Sequence, residues 1–276
     1  MPAMNVTDIF IDNIYHFSRN PFSLELYTHA RKCLLDYLAA TIAGSKEYRT
    51  VESAFLDSPI AKGGMSSVIG HGMKSTPAMA ALINGISAHA VELDDGQRFG
   101  NIHPGAPVIS SLLAVGEVYG LSLEKVLRGI IVGYEATLRL ACSIQPGHKL
   151  KGFHATGPCG TIGATLGIAA MMDFSKEQMK SALSAACTSA SGILETDSKP
   201  FGRVSRNAMA NGRRCRHREL CLQGRRRAVR RVQRRDVYSG GRSIGAPAIS
   251  PALVLPIHAR ARFAAYFVLT IHSGVL

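Results

Sequence analysis

Between His89 and Gly105 the chain gathers residues suited to proton chemistry: His89-Ala-Val-Glu92-Leu-Asp-Asp95-Gly-Gln-Arg-Phe-Gly-Asn-Ile-His103-Pro-Gly105. Two histidines, three carboxylates and an arginine stand between apolar runs on either side. His89, Glu92 and Asp95 step by three, so a helix continuing this far would place them on one face. Gly96, Gly100 and Pro104-Gly105 then break the backbone into a loop. Titratable groups collected where a helix meets a loop are what general acid–base chemistry needs, and histidine exchanges protons near neutrality. The plainer alternative is a solvated turn with a helix-end charge pair. The spacing matches no short metal motif, and His89, Glu92 and His103 are too loosely spaced to argue for a metal site.

A second polar, Gly/Pro-rich stretch follows at Gly152-Phe-His154-Ala-Thr-Gly-Pro-Cys-Gly160. A single loop histidine is ordinarily surface or hydrogen-bonded structure. Two such loops could nonetheless face one ligand from two sides. Cys159 beside Gly160 reads as a small core thiol, since nothing nearby marks an activated nucleophile.

The elements that must hold these loops read as helices. Residues 6–19 are amphipathic, and from Ser23 apolar residues recur at helical spacing up to Gly44, a natural stop. Residues 50–56 predict a short helix. Met65–Met73 predicts a brief strand or an extended loop between glycines. Thr76-Pro77 opens an Ala-rich helix over 78–92. Residues 106–119, 122–143 and 161–172 give three more helices. A last one spans 175–194, with Glu177 near a capping-box entry. The expectation is an all-α domain.

Charge divides the chain. Residues 1–200 are near neutral and hold all ten lysines, whereas thirteen arginines fall between Arg203 and Arg235. The net charge of +13 is therefore a property of the C-terminal segment. Helical periodicity fails there too. The six cysteines form no CxxC pair, which predicts reduced thiols. The N-terminus shows no signal-peptide pattern, and prolines and charges interrupt the apolar stretch 252–271. A cytoplasmic protein with no membrane span is the simplest expectation.

The ordered set of His89-Ala-Val-Glu-Leu-Asp-Asp, His103-Pro-Gly, Gly152-Phe-His154-Ala-Thr-Gly and a downstream Gly-Thr-Ile-Gly resembles the MmgE/PrpD family over roughly residues 6–212. Members include 2-methylcitrate dehydratase, cis-aconitate decarboxylase and iminodisuccinate epimerase. The resemblance implies a helical domain with an inserted α+β lid, a homodimer, and neither metal nor cofactor. It implies catalytic roles for His103, His154 and Lys199 of the Lys-Pro pair. It places the acidic substrate-binding residues on Glu92-Leu-Asp-Asp95, with His89 beside them; Glu92 occupies a position often held by Asp. Which histidine is the base stays open.

After Gly212 the resemblance ends, where the arginine run begins. The expected organisation is therefore a helical MmgE/PrpD-like domain over 1–212 and an Arg-rich, then apolar, tail over 213–276. The lid is absent from that expectation, and the tail reads as a shifted-frame translation or otherwise altered C-terminus. The function implied is a lyase of the 2-methylcitrate dehydratase type acting on a small citrate-like polycarboxylate. The alternatives are a catalytically inactive remnant of such an enzyme, or an arginine arm binding nucleic acid. The last is disfavoured by scarce aromatics and the lack of a binding motif.

Overall fold

The computed structural model describes residues 5–193, whose regular elements are helices apart from one small hairpin. Helix α1 (Val6–Arg19) is capped by Asn5 and α2 (Leu24–Glu47) by Ser23, each side chain accepting a backbone N–H of the first turn. Such caps are worth about 1 kcal/mol each. The short α3 (Arg49–Leu56) leads to the antiparallel hairpin β1 (Ser66–Val68) and β2 (Met73–Ser75). Helices α4 (Pro77–Ala90), α5 (Gly105–Val118) and α6 (Leu123–Ile144) follow. The single turn α7 (Gly147–Leu150), then α8 (Thr156–Met171) and α9 (Lys176–Ser189), complete the described chain.

The all-α expectation holds, with local corrections. Gly44 does not end α2, which runs on to Glu47. A Cβ at Gly44 would lie 1.9 Å from the Ser87 carbonyl oxygen, so the glycine serves close packing of α2 on α4. The 65–73 segment supplies the first strand and the turn of a hairpin whose second strand runs on to Ser75. Helix α8 begins at Thr156, so the second half of the stretch expected as loop, Thr156 to Gly160, is already helical. The capping box of α9 pairs Ser175 with Gln178, not Glu177.

Helices α4, α5, α6 and α8 form the centre. Ile86, Ile109, Leu112, Leu127, Ile130, Leu166 and Met171 are fully buried in it. Helices α6 and α8 meet through glycines: a Cβ at Gly163 would strike Thr137 Oγ1 at 1.7 Å, and one at Gly167 would reach the Gly129 carbonyl oxygen at 2.7 Å. Small residues here let the two backbones touch, which explains why α8 is so rich in Gly and Ala. Away from the centre, Glu52 of α3 is fully buried. It accepts the Ser87 hydroxyl at 2.5 Å and sits 2.6 Å from His71 Nε2, tying the hairpin turn to α3 and α4. Burial pushes the Glu52 carboxyl above its usual range, against the pull of those two hydrogen bonds.

No helix among the described residues is long and apolar enough to cross a membrane. Lys199, the 207–212 segment and the 213–276 tail lie outside the described residues.

Candidate active site

The 91–104 segment leaves α4 and folds back on itself before entering α5. Its turn is closed by the antiparallel bridge Gln97–Ile102, in which each backbone N–H donates to the other residue's carbonyl. Helix α4 ends at Ala90, and Glu92 takes a left-handed φ of 56°. The shared helical face expected for His89, Glu92 and Asp95 therefore does not form. Glu92 is exposed, while Asp95 is carried round to the interior.

That fold-back brings His89, Asp94 and His103 together. Asp94 Oδ2 lies 2.6 Å from His89 Nδ1 and 3.7 Å from His103 Nδ1. The two imidazole rings are 5.1 Å apart, tilted by 57°. The side chains of His89 and Asp94 are 4% and 3% exposed, that of His103 35%. Only His103 of the three can meet a ligand.

His103 is fixed from two sides. Its Nδ1 sits 2.8 Å from the Asp95 carbonyl oxygen, a partner that can only accept, so Nδ1 carries the hydrogen and Nε2 the lone pair. Its backbone N–H donates to Thr156 Oγ1 at 3.2 Å, which joins this loop to the start of α8. His154 stands two residues before Thr156, anchored by its N–H to the Gly192 carbonyl and by its own carbonyl to the Gly157 N–H. The structure thus joins the two polar stretches through Thr156.

Asp95 supports this arrangement from beneath. One carboxyl oxygen accepts the Gly105 N–H at 2.9 Å and the other accepts the Tyr134 hydroxyl at 2.8 Å, so both are engaged within the protein. Asp95 meets His103 through its main-chain carbonyl, while its carboxyl is turned to Gly105 and Tyr134. A Cβ at Gly105 would lie 2.6 Å from Asp95 Oδ1, so the glycine lets the α5 N-terminus close on the carboxyl. Burial, then the neighbouring Asp94 charge, pushes the Asp95 carboxyl up to about 7, against the pull of Tyr134 and Gly105. Burial, then Asp95, raises the Tyr134 phenol well above its usual range. Asp36 of α2 is also raised, by partial burial and then by Asp94.

His89, Asp94 and His103 are close enough to share a cation. In the arrangement present, however, both Nδ1 atoms face oxygen acceptors and serve as donors. The group is therefore a hydrogen-bonded cluster of the kind that handles protons.

Sequence reasoning singled out His89, Asp95 and His103 but not Asp94 as the link between the histidines. It also missed Tyr134 and Thr156. Asp94 is five residues from His89, a step that matches no helical or strand period and becomes a contact only through the fold-back. Tyr134 reads as an ordinary core aromatic of α6.

Residues 12–217 match the model of the MmgE/PrpD N-terminal domain. A cis-aconitate decarboxylase-like protein of Aspergillus oryzae is 26% identical over 201 residues, covering 70% of this chain and 42% of that protein. The cis-aconitate decarboxylase of Aspergillus terreus is 26% identical over 176 residues, covering 62% of this chain and 36% of the relative. The chain thus spans less than half the length of these relatives. With the family model covering most of it, the chain belongs to the MmgE/PrpD family.

Proposed function

We propose that the chain contributes the acid–base site of a lyase acting on a small citrate-like polycarboxylate. The carrying observation is His103: a half-exposed imidazole with Nδ1–H held by a main-chain carbonyl and Nε2 left as a lone pair, above a buried carboxylate cluster. A base so prepared can take the proton from a carbon next to a carboxylate while an acid on the other side protonates departing hydroxide. In a decarboxylation, the carbon–carbon bond breaks, carbon dioxide leaves, and the same acid returns a proton to the carbon. His154, tied to His103 through Thr156, is the second acid–base group in this reading. Lys199 is the group that binds a substrate carboxylate in this reading.

The names of the relatives favour cis-aconitate as the first acid to try, with 2-methylcitrate and citrate beside it. The test is incubation of the full chain with each acid, following carbon dioxide release and the appearance or loss of the double bond by proton NMR. Turnover by the wild type and its loss in His103→Ala supports the reading. A folded wild type inactive on all three acids counts against it.

A further inference from the structure

The geometry points to Asp94 as a positioning residue for His103, with His89 as the buried donor that keeps Asp94 ionised. The inference rests on the reading of His103 as the acid–base group of the site.

The observations are three. Asp94 is the carboxylate within ion-pair distance of His103, at 3.7 Å, and it is bonded at 2.6 Å to His89. Its other oxygen, Oδ1, is buried with no hydrogen-bond partner among the described residues, and so is His89 Nε2. A buried carboxylate with one bare oxygen is costly to keep charged unless a strong donor faces it. His89 supplies that donor through Nδ1–H. A second proton on His89 would leave an N–H at Nε2 buried without an acceptor, which costs more than a bare lone pair. With His89 Nδ1 at 2.6 Å, Asp94 Oδ2 is the negative group that faces His103 Nδ1 at 3.7 Å.

That charge does little for neutral His103. It favours the imidazolium formed when Nε2 takes a substrate proton. The division of labour is then clear: the Asp95 carbonyl fixes which nitrogen is basic, and Asp94 stabilises the cation that the base becomes. The other titratable groups on the elements around the cluster are Asp36 and Cys33 of α2, Tyr134 of α6, Asp95 of the same loop and His154 ahead of α8. The His103 ring bonds the Asp95 main-chain carbonyl, and Asp94 is the carboxylate within ion-pair distance of it.

The test uses the full chain labelled with 15N-histidine, in which His103 is titrated by NMR without any need for turnover. Asp94→Asn should move the His103 midpoint to lower pH, the direction expected for losing a nearby opposite charge. His89→Ala should do the same, because the stripped carboxylate then takes up a proton. His89→Gln, which keeps a donor toward Asp94, should restore most of the wild-type midpoint. Thermal melts identify any variant that has unfolded, and Asp94→Asn, being isosteric, is the decisive one. An unchanged midpoint in folded Asp94→Asn overturns the proposal, as does a His89→Gln variant that behaves like His89→Ala. Where an acid is turned over, Asp94→Asn should lower kcat about tenfold with KM little changed. Absence of turnover in the wild type, with the midpoint shifted as expected, would sink the lyase reading and leave this one standing.

Discussion

Asp95→Asn tests the buried carboxyl beneath the site most directly. In the folded chain its carboxyl is pushed up to about 7, from an ordinary value of 3.8, first by burial and then by Asp94. Between those two values the folded protein holds a proton that the unfolded chain has released. Stability therefore falls as pH rises from about 4 to about 7, then flattens once both states are ionised. At about 1.4 kcal/mol per unit, the loss is about 4–5 kcal/mol over the whole window and about 3 kcal/mol between pH 5 and pH 8. Asparagine mimics the protonated acid: its oxygen can accept the Gly105 N–H and its amide can face the Tyr134 hydroxyl. The variant lacks the titration but keeps every other group. Urea unfolding followed by circular dichroism, on both proteins at pH 5 and pH 8, isolates the contribution as a difference of differences. The variant should gain about 3 kcal/mol on the wild type between the two pH values. A gap that stays constant, or that shrinks as pH rises, refutes the assignment of a proton to Asp95 in the folded state.

Tyr134→Phe removes the hydroxyl that faces buried Asp95. It should cost about 1–3 kcal/mol, more at pH 8 than at pH 5, because the ionised carboxyl needs the donor most; the same urea titrations measure it. Gly105→Ala forces a Cβ to within 2.6 Å of Asp95 Oδ1 and 3.0 Å of the Tyr134 hydroxyl. It should lower stability by about 1–3 kcal/mol and, unlike a surface glycine change, disturb the His103 resonances in the same NMR spectrum. Burial drives the Cys33 thiol far up and the Cys159 thiol up to about 12, whereas Cys187 is exposed. Iodoacetamide on the native protein should therefore label Cys187 and spare Cys33 and Cys159 until urea unfolds the chain, a pattern that peptide mass mapping reads directly.

The helices were legible in the sequence because their causes are local. Ser23, Thr76, Ser122 and Ser175 each cap the helix that follows, and apolar spacing repeats within each element. Errors fell where packing overrides local signals. Gly44 carries the signature of a helix stop, yet the carbonyl of Ser87 on a distant helix is what requires it. Pro158 and Gly160 look like loop residues, yet Pro is tolerated in a helix's first turn and the glycines and alanines of α8 answer to α6.

The site divides the same way. His103 and Asp95 stood out by type and neighbourhood, and the family resemblance sharpened them. Their roles did not follow, because a role depends on which atom faces which. Three-residue spacing put Glu92 on the face of His89, but the helix ends at Ala90 and one left-handed residue sends Glu92 outward. The fold-back then seats Asp94 against His89 and turns Asp95 under the loop, to Gly105 and Tyr134. Two adjacent carboxylates thus acquire opposite tasks. Asp94 turns one oxygen, Oδ2, toward both imidazoles, whereas Asp95 spends both of its own on the scaffold and offers His103 only a main-chain carbonyl. Asp94 sits at a bend, and the exit from the helix after Ala90 is what lets it meet both imidazoles while Asp95 roots in the core.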